Sequence, residues 1–214
     1  VKEGKNPRVV WDGSTKREPL DIVLNEVTPT ELESAITFGR TKLRMCETIY
    51  NTRISFPNEE IYLAMADIKA CFRFTCIHPD LVGCFSFAAD DLYWLTNRMV
   101  FGSTTSASCW EPYRCTIERA QLALQDRDDL VDKHQHYLGM IEWDVLPSSD
   151  QEFIRAVADE FNPGILGDDG LPAPAPAHIY VDDALIACIG VERMKKALAA
   201  MIEAIFIVMG PPDP

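Results

Sequence analysis

The chain has 214 residues, of which 47% are hydrophobic, 25% charged and 9% aromatic, the make-up of one soluble globular domain or two small lobes sharing a core. A disordered tail, a collagen-like fibre and a disulfide knot are excluded. The net charge of −13 is concentrated, since residues 126–170 hold 12 acidic against 3 basic side chains while residues 1–60 hold 10 against 9, so the acidic total does not exclude a polyanionic partner.

No run approaches the roughly eighteen consecutive apolar residues of a membrane span, and the opening VKEGKNPR lacks the apolar core of a signal peptide. An intracellular soluble protein without a membrane partner is expected. The seven cysteines are scattered without CxxC pairs, so reduced, mostly buried thiols are expected. A chain that opens on Val1 and stops soon after an apolar helix looks like a piece of a longer polypeptide.

In chain order, residues 5–10 alternate and carry β-branched side chains before Asp12-Gly13-Ser14, which predicts a strand entering a turn. Thr28, Pro29 and Glu31 make a capped start for a helix over 29–45. Residues 61–66 form a short apolar run ending on Asp67, the pattern of a buried strand that delivers a polar group at its end. Residues 84–88 and 92–100 flank Ala89-Asp90-Asp91, a hairpin signal. The stretch 106–125 has helical period, with a kink or late start expected at Pro112. Ser148 and Gln151 cap a helix at about 149–161, Asn162-Pro163-Gly164 ends it, and 162–177 is a Gly/Pro-rich loop. Two apolar strands then flank Asp182-Asp183, and 191–208 closes as an apolar helix.

Two adjacent carboxylates between apolar strands repel each other and cost desolvation, and a divalent cation is the simplest compensation. Aspartate oxygens suit Mg²⁺. The plain alternative is a solvated Asp-Asp turn. Asp67 changes the weighting: laid side by side in an antiparallel sheet, its strand and the later one bring Asp67 and Asp182 to the same end, as a two-metal phosphoryl-transfer site requires. Taken alone, Asp67 could equally be a strand-end cap. Cys71, Cys76 and His78 lack a second ligand pair at finger spacing, and buried structural cysteines are the expected reading. His134 and His136 are expected to be solvated, and Asp90-Asp91 to form a hairpin turn. Ser103, Ser106 and Ser108 have no arranged His-Asp partners, so the sequence does not support a serine hydrolase.

Several segments resemble, in order, the motifs of the reverse transcriptases of eukaryotic retroelements. Arg8-Val9-Val10 with Asp12 and Ser14, then Leu24-Asn25, resembles the fingers segment. Asp67-Ile68-Lys69-Ala70-Cys71-Phe72 is similar to the first palm motif, an Asp followed five residues later by an aromatic. Met99-Val100-Phe101-Gly102 with Ser106-Ala107 resembles the second, and Tyr180-Val181-Asp182-Asp183 the third.

The resemblance implies RNA-directed DNA polymerase activity, a nucleotidyl transfer from a deoxynucleoside triphosphate to a primer 3′-hydroxyl on an RNA/DNA template-primer. It implies Asp67, Asp182 and Asp183 as catalytic carboxylates for two Mg²⁺ ions, with Mn²⁺ as a substitute and the Ile68 carbonyl as a further metal contact. Arg8, assisted by Lys5, would grip the triphosphate. Phe72 would lie under the sugar and exclude a 2′-hydroxyl; otherwise it is a core aromatic. Gly102 would let the backbone approach the nucleotide, with Phe101 packing on it.

The implied architecture is α+β, palm-and-fingers, with an antiparallel palm sheet backed by the helices near 106–125 and 191–208. Residues 1–60 would be partial fingers, 61–125 and 178–214 the two parts of the palm, and 126–177 a peripheral acidic insertion with a Pro-rich loop. The thumb and the further domains usual in the family's polyproteins are expected to be missing, and with basic residues few, nucleic-acid affinity should be poor. The alternative is a catalytically inactive retroelement remnant or acidic interaction module that keeps the palm fold.

Overall fold

The computed structural model describes Ser14 and residues 24–27, 40–89, 91–146 and 175–211. The expected strand at 5–10, the cap at 28–31 and the helix at 149–161 lie outside the described residues. The chain divides into two compact units: Val1–Ile36 with Ala70–Pro112, and Thr37–Lys69 with Tyr113–Pro214.

The second unit is built on a four-stranded antiparallel sheet in the order β4-β1-β6-β5. Its strands are β1 (Ile61–Asp67), β4 (Trp143–Leu146), β5 (Ala177–Tyr180) and β6 (Asp183–Ile189). Opposed residues share a face, so Ile61, Leu63, Met65 and Asp67 stand with Ile189, Ala187, Leu185 and Asp183. Helix α2 (Thr41–Ser55) packs on this face, where Met45 meets Ile61 and Ala187. Ala64, Ala184, Ile186 and Cys188 on the other face are also buried. The last helix, α6 (Val191–Met209), runs along β6 and β1 and buries Met194, Ala197, Leu198 and Met201. No described helix is long and apolar enough to cross a membrane.

The outer edge of β5 is closed by side chains. From α3 (Thr104–Leu124) and the residue after it, Glu118 Oε1 accepts from Ile179 N at 2.9 Å and Gln121 Oε1 from Ala177 N at 3.1 Å. Gln121 Nε2 donates to Ala175 O at 2.9 Å, while Gln125 holds both the N–H and the carbonyl of Ala175 at 2.9 and 2.6 Å. Thr41 Oγ1 donates to Ile179 O at 3.4 Å. Residues three and four apart share a helix face, which is why 118, 121 and 125 meet alternate residues of one strand.

The first unit holds α1 (Leu24–Val27), two 3₁₀ segments at Cys71–Phe74 and Pro79–Phe85, and a hairpin of β2 (Ser86–Ala89) with β3 (Leu92–Leu95). Its buried residues include Cys71, Phe72, Ile77, Phe85, Met99 and Trp110.

Four expectations are corrected. Of the helix expected over 29–45 only the end is described, and there a helix begins at Thr41 and runs on to Ser55, with Met45, Thr52 and Ile54 buried along it. The second hairpin strand ends at Leu95 rather than 100, since Thr96 and Arg98 bond to each other instead of continuing the ladder. The acidic segment is not peripheral: it contributes β4 to the sheet and, through α4 (Asp129–Lys133) and α5 (Gln135–Leu138), packs on α6. His134, expected in solvent, is 2% exposed and bonds Glu203 Oε2 on α6 at 2.7 Å. Helix α3, by contrast, continues through Pro112 without a late start.

The cysteines also divide differently from the expectation. Cys71 and Cys188 are buried, but Cys46, Cys76 and Cys84 are exposed.

Candidate carboxylate site

Asp67 is the last residue of β1 and stands directly opposite Asp183, the first residue of β6. The β5–β6 connection is a two-residue turn, Val181-Asp182, closed by the Tyr180–Asp183 pair. Ile68 N donates to Asp182 O at 2.7 Å, tying the chain beyond β1 to that turn. The three aspartates expected to converge are therefore brought to one end of the sheet by strand register alone.

Val181 has φ +58°. Tight hairpin turns require a positive φ that Gly, Asn or Asp adopt readily and a β-branched residue does not. Such strain costs on the order of 1–3 kcal/mol and is concentrated at functional sites. Burial raises the Asp183 carboxyl above its ordinary pKa, the charges of Asp182 and Asp67 raise it further, and Lys42 opposes them. The site therefore carries repulsion that a cation would relieve.

These residues offer hard carboxylate oxygens without thiolate or imidazole, the donor type that Mg²⁺ prefers. Among the described residues, no three His, Cys, Asp or Glu side chains are drawn together into a ready-made metal site. The fit rests on donor type, shared sheet end and mutual repulsion.

A groove of about 800 Å³ runs from Asp67 along the same face, lined by Leu63, Met65, Ile141 and Trp143 among others. Among the described residues its charged lining is Asp67, Glu142 and Asp144, with no basic side chain. Two acidic residues of the segment expected to stand aside thus border the site.

The expected nucleotide contacts lie partly in the first unit. Phe72 is 7% exposed and meets Phe101 edge-on, ring centroids 4.9 Å apart. Each ring is thus a packing partner of the other. Gly102 has φ +102°, a conformation glycine adopts without a Cβ penalty. Its carbonyl accepts from Asn25 Nδ2 at 2.9 Å; the same Nδ2 donates to Ser14 Oγ at 2.9 Å, and Asn25 Oδ1 accepts from Thr104 N at 3.1 Å. Asn25 thereby ties Ser14, Gly102 and Thr104 together. Lys5 and Arg8 lie outside the described residues.

Sequence reasoning missed Lys42, whose Nζ lies 4.4 Å from the centroid of the Tyr180 ring. An exposed lysine on a helix carries no sequence signal of that role. It also missed His178, which is 8% exposed and bonds Thr48 Oγ1 through Nε2 at 2.9 Å. Burial pushes its imidazole below the ordinary value, while Glu118 raises it and Arg44 lowers it.

A histidine whose folded pKa is depressed favours the fold while neutral, and that contribution is lost as pH falls through the unfolded value of about 6.5. Thermal unfolding followed by calorimetry is expected to show Tm falling between about pH 7.5 and 5.5. His178→Asn is expected to remove part of that slope; an unaltered slope would acquit His178.

No protein-family model, curated protein or solved structure matches this chain.

Proposed function

We propose that this chain is the fingers and palm portion of a reverse transcriptase, an RNA-directed DNA polymerase. The observation that carries the reading is the register that sets Asp67 opposite Asp183, with Asp182 in the adjoining turn. The order of the similar motifs along the chain supports it, as does the strained Val181 between Tyr180 and Asp182.

In this reading Asp67, Asp182 and Asp183 hold two Mg²⁺ ions, with the Ile68 carbonyl as a further contact. The ions supply charge neutralisation and lower the pKa of the attacking hydroxyl. The chain contributes placement: β1 and β6 fix the carboxylates, and the bond from Ile68 N to Asp182 holds the turn. Positioning and charge stabilisation account for most of the catalysis in phosphoryl transfer. Arg8 and Lys5 hold the triphosphate, and Gly102 and Phe101 form part of the nucleotide's surroundings. Phe72 selects deoxynucleotides.

A second reading has one observation in its favour. Glu142 and Asp144 line the groove with Asp67, and its described lining includes no basic side chain, which suits a palm-like acidic interaction module better than a nucleic-acid channel.

The deciding experiment is primer extension on an RNA template, at high protein and template-primer concentration, with and without Mg²⁺ or Mn²⁺. Metal-dependent extension with deoxynucleotides supports the polymerase, and its absence at every concentration supports the module. Where extension occurs, Phe72→Ala is expected to raise ribonucleotide relative to deoxynucleotide kcat/KM, the ratio that reports differential transition-state binding.

A further inference from the structure

The first turn of α2 meets the end of β5 immediately before the aspartate turn. Thr41 bonds the Ile179 carbonyl, and the next residue, Lys42, seats its ammonium on the face of Tyr180. Such a contact holds a cation over the ring by its quadrupole. Tyr180 is paired with Asp183 across the hairpin, and Asp183 with Asp67 across the sheet. Opposed residues stand on one face, so the ring and the two carboxylates stand in a row on the face where α2 lies. Lys42 is exposed, and its long side chain is directed by Tyr180 instead of by burial.

Resting on the reading of this end of the sheet as a divalent-cation site, we propose that Lys42 is a positioning residue. Its ammonium, seated on Tyr180, is the built-in counter-charge of Asp67, Asp182 and Asp183 and holds their affinity for a divalent ion down. Without a divalent ion, the lysine offsets part of the repulsion among the carboxylates. When an ion binds, it meets the same ammonium as a like charge.

The test is Mn²⁺ binding to the full chain, followed by loss of the free-ion electron paramagnetic resonance signal at low ionic strength. Removing one unit charge from the neighbourhood of a divalent ion in a partly solvated site is worth on the order of tenfold in affinity. Lys42→Gln is expected to tighten Mn²⁺ binding by about that factor, and Lys42→Arg to stay close to wild type. The difference is expected to shrink at about 1 M salt, where the screening length falls to roughly 3 Å.

A lysine that merely packs on Tyr180 would lower Tm on substitution and leave Mn²⁺ affinity unchanged. That result overturns the proposal, as does weaker binding by Lys42→Gln. Lys42→Met serves as a second neutral variant if the glutamine protein folds poorly. Asp183→Asn separates the two levels of inference. If it binds Mn²⁺ as wild type does, the carboxylate-site reading fails. If it binds more weakly while Lys42→Gln gains nothing, only the role of Lys42 fails.

Discussion

If the proposed polymerase activity is present, Asp67→Asn and Asp183→Asn are each expected to reduce metal-dependent nucleotide incorporation by about a thousandfold or more. Metal-ion charge stabilisation is worth several kcal/mol, and each 1.4 kcal/mol is a decade in rate. The informative companion measurement is stability. Asp183 has its carboxyl pKa raised by burial and by its neighbours, so its ionised form is a net cost to the fold, present above its folded pKa and relieved as pH falls. Asparagine keeps the shape and removes the charge. Tm at neutral pH is therefore expected to hold or rise while incorporation is lost. Loss of incorporation together with collapse of Tm would mark Asp183 as structural.

The largest expected stability effect lies away from that site. Arg114 is 1% exposed and its Nη1 donates to Glu118 Oε1 at 2.7 Å; the same oxygen accepts the Ile179 N–H. Glu118→Ala would leave a buried guanidinium without that partner and a buried backbone donor unsatisfied. Breaking a buried pair from one side costs about 3–5 kcal/mol. Urea unfolding at pH 7 is expected to show the unfolding free energy lowered by that amount, read as a lower midpoint at an unchanged slope. Glu118→Gln, which keeps an acceptor for Ile179 while removing the charge, is expected to fall between. A change below about 1 kcal/mol in the alanine variant would show that the guanidinium finds other partners.

Much of the sheet was legible because strands carry their own signal. The apolar run ending at Asp67 and the two around Asp182-Asp183 became β1, β5 and β6, and their antiparallel pairing put the aspartates at one end. The closing helix was legible for the same reason, a continuous apolar pattern over 191–208 that became Val191–Met209. The failures share a cause too. β4 is only four residues long, holds Asp144, and lies in a segment dominated by acids, so composition pointed to a solvated insertion. Its place was decided by backbone pairing with β1, which composition does not encode. His134 likewise carries no local mark of burial; Glu203, 69 residues later, supplies it. At the site itself, the aspartates could be found by motif, whereas Lys42 and the acidic groove wall could not. They arise where distant elements pack.

The row of side chains along β5 has a consequence for how this protein meets other chains. An exposed strand edge is a template on which a foreign strand can add, through its outward N–H and carbonyl groups. Here both outward groups of Ala175 and Ile179 and the N–H of Ala177 are engaged by Thr41, Glu118, Gln121 and Gln125, so the end of α3 acts as a surrogate strand made of carboxamides and a carboxylate. Growth of the sheet from this border by domain swapping or amyloid-like stacking would first have to displace that row. A guest strand would have to break these side-chain bonds before it could pair with the same backbone groups. A cross-chain strand would have to enter on the side of β4, where the neighbouring groove wall carries Glu142 and Asp144. Like charge there disfavours a second copy of this acidic chain, so solubility is defended by hydrogen bonding at one border and by electrostatic repulsion at the other.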